Sequence, residues 1–88
     1  MYRWELDGPA QHEFADLPAA AQASLAAFMD AVVTVDPVQY QRRRDERDDV
    51  SMPLRSLHFG PDGGGLVTFL VYPPDDLVLV VKIQWLGS

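Results

Sequence analysis

Cysteine is absent from the 88 residues, which excludes a disulfide framework and thiolate metal ligation. A chain this short builds one domain around one core. The 48% hydrophobic content must therefore supply the stability, helped or not by a partner chain. Basic residues are scarce: 7 Lys+Arg against 13 Asp+Glu leave a net charge of −6. A protein that grips nucleic acid over a broad surface needs the opposite balance. An acidic chain favours a basic partner, or contact with nucleic acid confined to a small patch. Long apolar runs are missing too. The best, Leu77 to Val81, stops at Lys82, far short of the ~18 residues of a membrane-spanning helix. The opening Met1-Tyr2-Arg3-Trp4-Glu5 lacks the basic-then-apolar order of a secretory signal, so a cytoplasmic location is expected. The two histidines, His12 and His58, stand far apart and offer no metal-ligand spacing. Neither a metal nor a cofactor is expected.

What is present reads as α+β. Tyr2, Trp4 and Leu6 alternate with Arg3 and Glu5, the period of a strand with one buried face. Asp7-Gly8-Pro9 then opens a short helix, with Asp7 or Gly8 as cap and Pro9 in the first turn. Ala10, Phe14 and Leu17 fall on one face of it, with His12, Glu13 and Asp16 elsewhere. After Pro18, an alanine-rich helix runs from Ala19 to about Val35, with Leu25, Phe28, Met29 and Val32 at helical spacing. Asp36-Pro37 ends it. Residues 38–53 follow as a mobile charged loop, with a helical turn at Gln39 to about Arg44. The loop carries Arg42-Arg43-Arg44-Asp45-Glu46-Arg47-Asp48-Asp49, four charges of each sign.

Beyond Pro53 the period switches to that of strands: Leu54 to Phe59, Leu66 to Tyr72 and Leu77 to Leu86. They are separated by Gly60-Pro61-Asp62-Gly63-Gly64-Gly65 and Pro73-Pro74-Asp75-Asp76. With the first strand added, the order is β-α-α-β-β-β in residues 1–88: an antiparallel sheet packed against an α-hairpin. In the last strand Leu77, Leu79, Val81, Ile83 and Trp85 are expected to face the helices. Val78, Val80, Lys82, Gln84 and Leu86 are expected to face the other way. That second face is still apolar at one end, which points to an interaction surface for another protein or a second copy of the chain.

Several local motifs resemble toxins of the RelE/ParE superfamily. The opening Tyr2-Arg3-Trp4-Glu5-Leu6, the Pro9-Ala10 helix start, the Leu17-Pro18 break and the Asp36-Pro37 helix end are similar to that family's first half. Pro53-Leu54-Arg55-Ser56-Leu57 resembles its entry into the second strand. The ending Ile83-Gln84-Trp85-Leu86-Gly87 is similar to small RelE-like proteins of high-GC bacteria. The resemblance implies a toxin-like component of a type II toxin–antitoxin system, an mRNA interferase acting at the ribosome, held by a cognate antitoxin. It also leaves two alternatives: a degenerate binding module that pairs with a DNA-binding antitoxin or regulator, and a gyrase-directed ParE-type toxin.

Carried over by position, Arg55 stands where the family places a basic residue on the second strand, and Lys82 where many members have Arg. The family's third-strand arginine is replaced within Leu66-Val67-Thr68-Phe69-Leu70, and its C-terminal His or Tyr by Trp85-Leu86-Gly87. Metal-free RNA cleavage needs a base for the 2′-hydroxyl proton and a cation for the phosphorane charge. Arg55 and Lys82 are the candidates for the cation, and both also read as ordinary surface charges. His58 is the strand histidine; by alternation it shares a face with Leu54 and Ser56, opposite Arg55. Arg42, Arg43, Arg44 and Arg47, with Gln84 and Trp85, make up the candidate RNA- or partner-binding set.

Overall fold

A computed structural model describes residues 2–37 and 54–86. The 38–53 segment, with Arg42, Arg43, Arg44 and Arg47, lies outside the described residues. Strand β1 (Arg3–Leu6) leads into helix α1 (Gly8–Ala15), whose N-cap Asp7 accepts the Gly8 N–H at 2.7 Å through Oδ1. That bond satisfies a donor left open by the helix start. Ala10 and Leu17 are buried and Phe14 packs against the core, as the spacing predicts. The Gln22 side chain donates to the Phe14 carbonyl at 2.9 Å and ties α2 (Ala19–Phe28) to the end of α1.

Helix α2 does not run on in regular form. Met29–Val33 is a π-turn, closed by the Thr34 N–H on the Met29 carbonyl at 3.0 Å. A wider turn holds more residues per revolution, so the inward face follows Ala21, Leu25, Met29 and Val33, all buried. Val32, expected inside from an unbroken helical period, is instead 41% exposed.

The strands β2 (Leu54–Phe59), β3 (Gly65–Tyr72) and β4 (Leu77–Trp85) form an antiparallel meander. Strand β1 joins it beside β4, giving the order β1-β4-β3-β2. It joins in parallel, through Arg3 N–H to the Asp76 carbonyl and Asp7 N–H to the Val80 carbonyl. The sheet is thus mixed rather than wholly antiparallel. The expected element order and the α-hairpin against the sheet are both found. Phe69, Val67, Val78 and Val80 meet Leu25, Met29 and Val33 in a fully buried core. Among the described residues no helix is long and apolar enough to cross a membrane.

One irregularity governs the rest. Thr68 pairs with Lys82 but Phe69 pairs with Val80, so Val81 is an extra residue in β4. A bulge of one residue reverses which side chains face inward beyond it. Before the bulge Val78 and Val80 are buried; after it Ile83 is. The expectation that Leu77, Leu79 and Val81 face the helices is therefore corrected, while it stands for Ile83 and Trp85. Glu13, expected to point away from the sheet, accepts the Ile83 N–H beside the bulge.

Candidate functional site

Among the described residues, helices cover one face of the sheet, and the register arranges the other in cross-strand rows. Ser56, Thr68 and Lys82 form one row, with the Ser56 and Thr68 hydroxyls 2.8 Å apart. His58, Leu66 and Gln84 form the next. Beyond the bulge come Leu54, Leu70, Leu79 and Glu5, and then Tyr72, Leu77 and Arg3. The open face is polar at one end and leucine-rich in the middle.

His58 Nδ1 lies 3.2 Å from the Gly63 carbonyl. A carbonyl can only accept, so in the neutral ring Nδ1 carries the proton and Nε2 keeps its lone pair. Gly63 reaches this position with φ +64, inside a turn that also uses positive φ at Gly60 and Asp62. The backbones bearing His58 and Lys82 are two strands and one row apart, about 12 Å, with Leu66 and Thr68 on either side of the line between them. Arg3 and Lys82 are the cations of this face among the described residues. The Arg3 guanidinium is engaged by Glu5 at 2.8 Å and reaches the Asp75 carbonyl at 2.9 Å. Hydrogen bonding to Glu5 raises its pKa further above the ordinary value.

The structure separates the two residues named for catalysis. Arg55 pairs with Phe69 and so lies on the helix side of the sheet, half-buried and engaged with a neighbour. Lys82 lies on the opposite face beside Gln84. The cause is parity: the register puts Arg55 in line with the buried Phe69, and Lys82 in line with Thr68. Trp85 is on the helix side, its ring centroid 6.1 Å from that of Phe59. Its Nε1 is buried with no hydrogen-bond partner among the described residues. His12 is exposed on α1. Alternation in the sequence already puts His58 with Ser56 and turns Lys82 away from the helices; the strand register adds that Thr68 stands between Ser56 and Lys82, which no motif announces. Among the described residues no cluster of His, Asp or Glu could hold a metal ion.

This architecture is a RelE-like fold: an α-hairpin on one face of a four-stranded mixed sheet, the other face left open by the described residues. Over 100% of its length the chain matches 100% of a chain in the intact E. coli RelBE toxin–antitoxin complex, with a TM-score of 0.70 and 16% identity. It likewise matches 87% of the isolated E. coli RelE toxin, with a TM-score of 0.71 and 15% identity. At such identity the likeness is one of fold. No protein-family model and no curated protein sequence matches the chain.

Proposed function

We propose that this chain is the toxin-like subunit of a type II toxin–antitoxin pair, with the open sheet face as its working surface. The observation that carries the reading is the whole-length likeness to RelE, both isolated and within its antitoxin complex. The leucine-rich middle of the open face supports a protein partner there, since an apolar patch of this kind is a place for another chain to cover.

The polar end of the same face supports RNA cleavage. Nε2 of His58 takes the 2′-hydroxyl proton, and the resulting alkoxide forms a bond to the adjacent phosphorus. The bond from phosphorus to the 5′-oxygen breaks, and water protonates the departing oxygen. The products are a 2′,3′-cyclic phosphate and a 5′-hydroxyl end. The Lys82 ammonium stabilises the charge that builds on the phosphorane oxygens, while Ser56, Thr68 and Gln84 supply hydrogen bonds to orient the strand. Lys82 takes this role in preference to Arg55, because it shares a face with His58.

The test is induced expression of the chain alone and together with the product of an adjacent reading frame encoding a DNA-binding protein. Arrest of growth with mRNA carrying cyclic-phosphate ends, relieved by the second protein, is expected. A folded chain that binds the second protein but leaves growth and mRNA unchanged would identify a binding module without catalysis.

A further inference from the structure

A second feature lies away from the open face, on the helix side of β1. There the amino-terminal end of β1 and the end of α2 leave a cleft of about 490 Å³ lined by Tyr2, Asp30, Thr34 and Val35. Asp30 sits inside the π-turn, exposed, with its Oδ1 accepting the Trp4 indole N–H at 2.8 Å. That bond holds the carboxylate in one orientation against the strand. The Thr34 hydroxyl is turned away, onto the Met29 carbonyl at 2.9 Å. Val35, which lines the cleft, is 72% exposed, and Val32 on the same turn is also exposed.

We infer that this cleft seats an arginine side chain of a basic protein partner. A carboxylate held in place beside an aromatic ring is the arrangement that recognises a planar guanidinium, by ion pairing at its edge and stacking on its face. Val35 offers an apolar wall for the aliphatic stem. The described lining residues carry one carboxylate and no cation, which suits a guanidinium that brings no carboxylate of its own, as in a polypeptide side chain. The net charge of −6 adds long-range attraction for a basic chain. The inference goes beyond the toxin-like reading and does not depend on it.

The test is a nuclear magnetic resonance titration of the full chain with the peptide acetyl-Ala-Arg-Ala-amide. The neutral isostere with citrulline in place of arginine serves as control. The Trp4 indole N–H resonance is expected to shift and saturate with the arginine peptide, while that of Trp85, at the other end of the molecule, stays still. Citrulline is expected to bind at least about tenfold more weakly, because the charge is lost. Asp30→Asn keeps an oxygen for Trp4 to donate to and removes the charge, and is expected to weaken the arginine peptide to the level of citrulline. Tyr2→Leu is expected to weaken it about threefold through loss of the ring face. Equal binding of the two peptides would overturn the inference. So would shifts confined to the Asp75–Asp76 turn, or unchanged arginine binding by a folded Asp30→Asn variant.

Discussion

The carboxylate of Glu13 on α1 accepts the backbone N–H of Ile83 on β4 at 2.7 Å, two residues past the bulged Val81. Ile83 keeps its register opposite Val67, and β1 pairs with β4 only as far as Val80; beyond the end of β1 a helix side chain satisfies a backbone donor of β4. The bond therefore ties α1 to the stretch of β4 that runs on beyond β1. Glu13→Ala is expected to destabilise the fold by about 1.5–3 kcal/mol, the range for a hydrogen bond to a charged group. Glu13→Gln, which keeps an acceptor oxygen, should lose less than half of that. Urea denaturation of the three proteins measures the difference.

The bulge also makes neighbouring residues of β4 respond in opposite ways. Val80 is fully buried among the helices, while Leu79 stands on the open face in line with Leu70 and Glu5. Val80→Asp buries an unpaired charge, which costs several kcal/mol out of a total stability of about 5–15 kcal/mol for a domain. That variant is expected to be unfolded by circular dichroism at room temperature. Leu79→Asp is expected to remain folded. An unbroken alternation running back from Ile83 predicts the reverse.

That contrast marks how far the sequence could be read. Composition and period were enough for the two helices, the meander and the cap at Asp7, because each depends on residues close in the chain. Ala10, Phe14 and Leu17 announce their helix face by spacing alone. The bulge at Val81 and the π-turn at Met29–Val33 each add one residue to a regular period, and nothing local signals an added residue among Leu and Val or among Ala and Val. Everything beyond them in the pattern changes sides: Val33 for Val32, Val80 for Leu79. The parallel entry of β1 depends on a partner more than seventy residues away. Likeness of motif names Arg55 and Lys82 one by one, and whether they meet depends on the register of β2, β3 and β4.

Gly65 carries a further constraint. A Cβ at this position would run into the ring of Phe59, its partner across the β2–β3 ladder. Phe59 itself is buried, so the ring has no free space to enter. Gly65→Ala is expected to lower stability by about 1–3 kcal/mol through overpacking. Combining it with Phe59→Leu should recover part of the loss, since the smaller side chain leaves the Gly65 Cα uncovered. Thermal melts of the single and double variants test this coupling, and strictly additive losses would count against it.

The open-face reading separates three residues by their effect on activity. His58→Gln removes the base and is expected to reduce RNA cleavage by about 10²–10⁴-fold, the range for losing a positioned acid–base group. Lys82→Ala removes the cation facing the phosphate and is expected to reduce it by about 10²–10³-fold. Lys82→Arg, which keeps the charge, should retain most of the activity. Arg55 lies on the other side of the sheet in line with Phe69. Arg55→Ala is therefore expected to act through stability alone, leaving cleavage per folded molecule within about twofold of the parent. Rates of cyclic-phosphate formation, divided by the folded fraction from a parallel denaturation curve, separate the two kinds of loss. If Arg55→Ala abolished cleavage at full folding while Lys82→Ala left it intact, the working surface would be the helix side of the sheet edge at β2 instead.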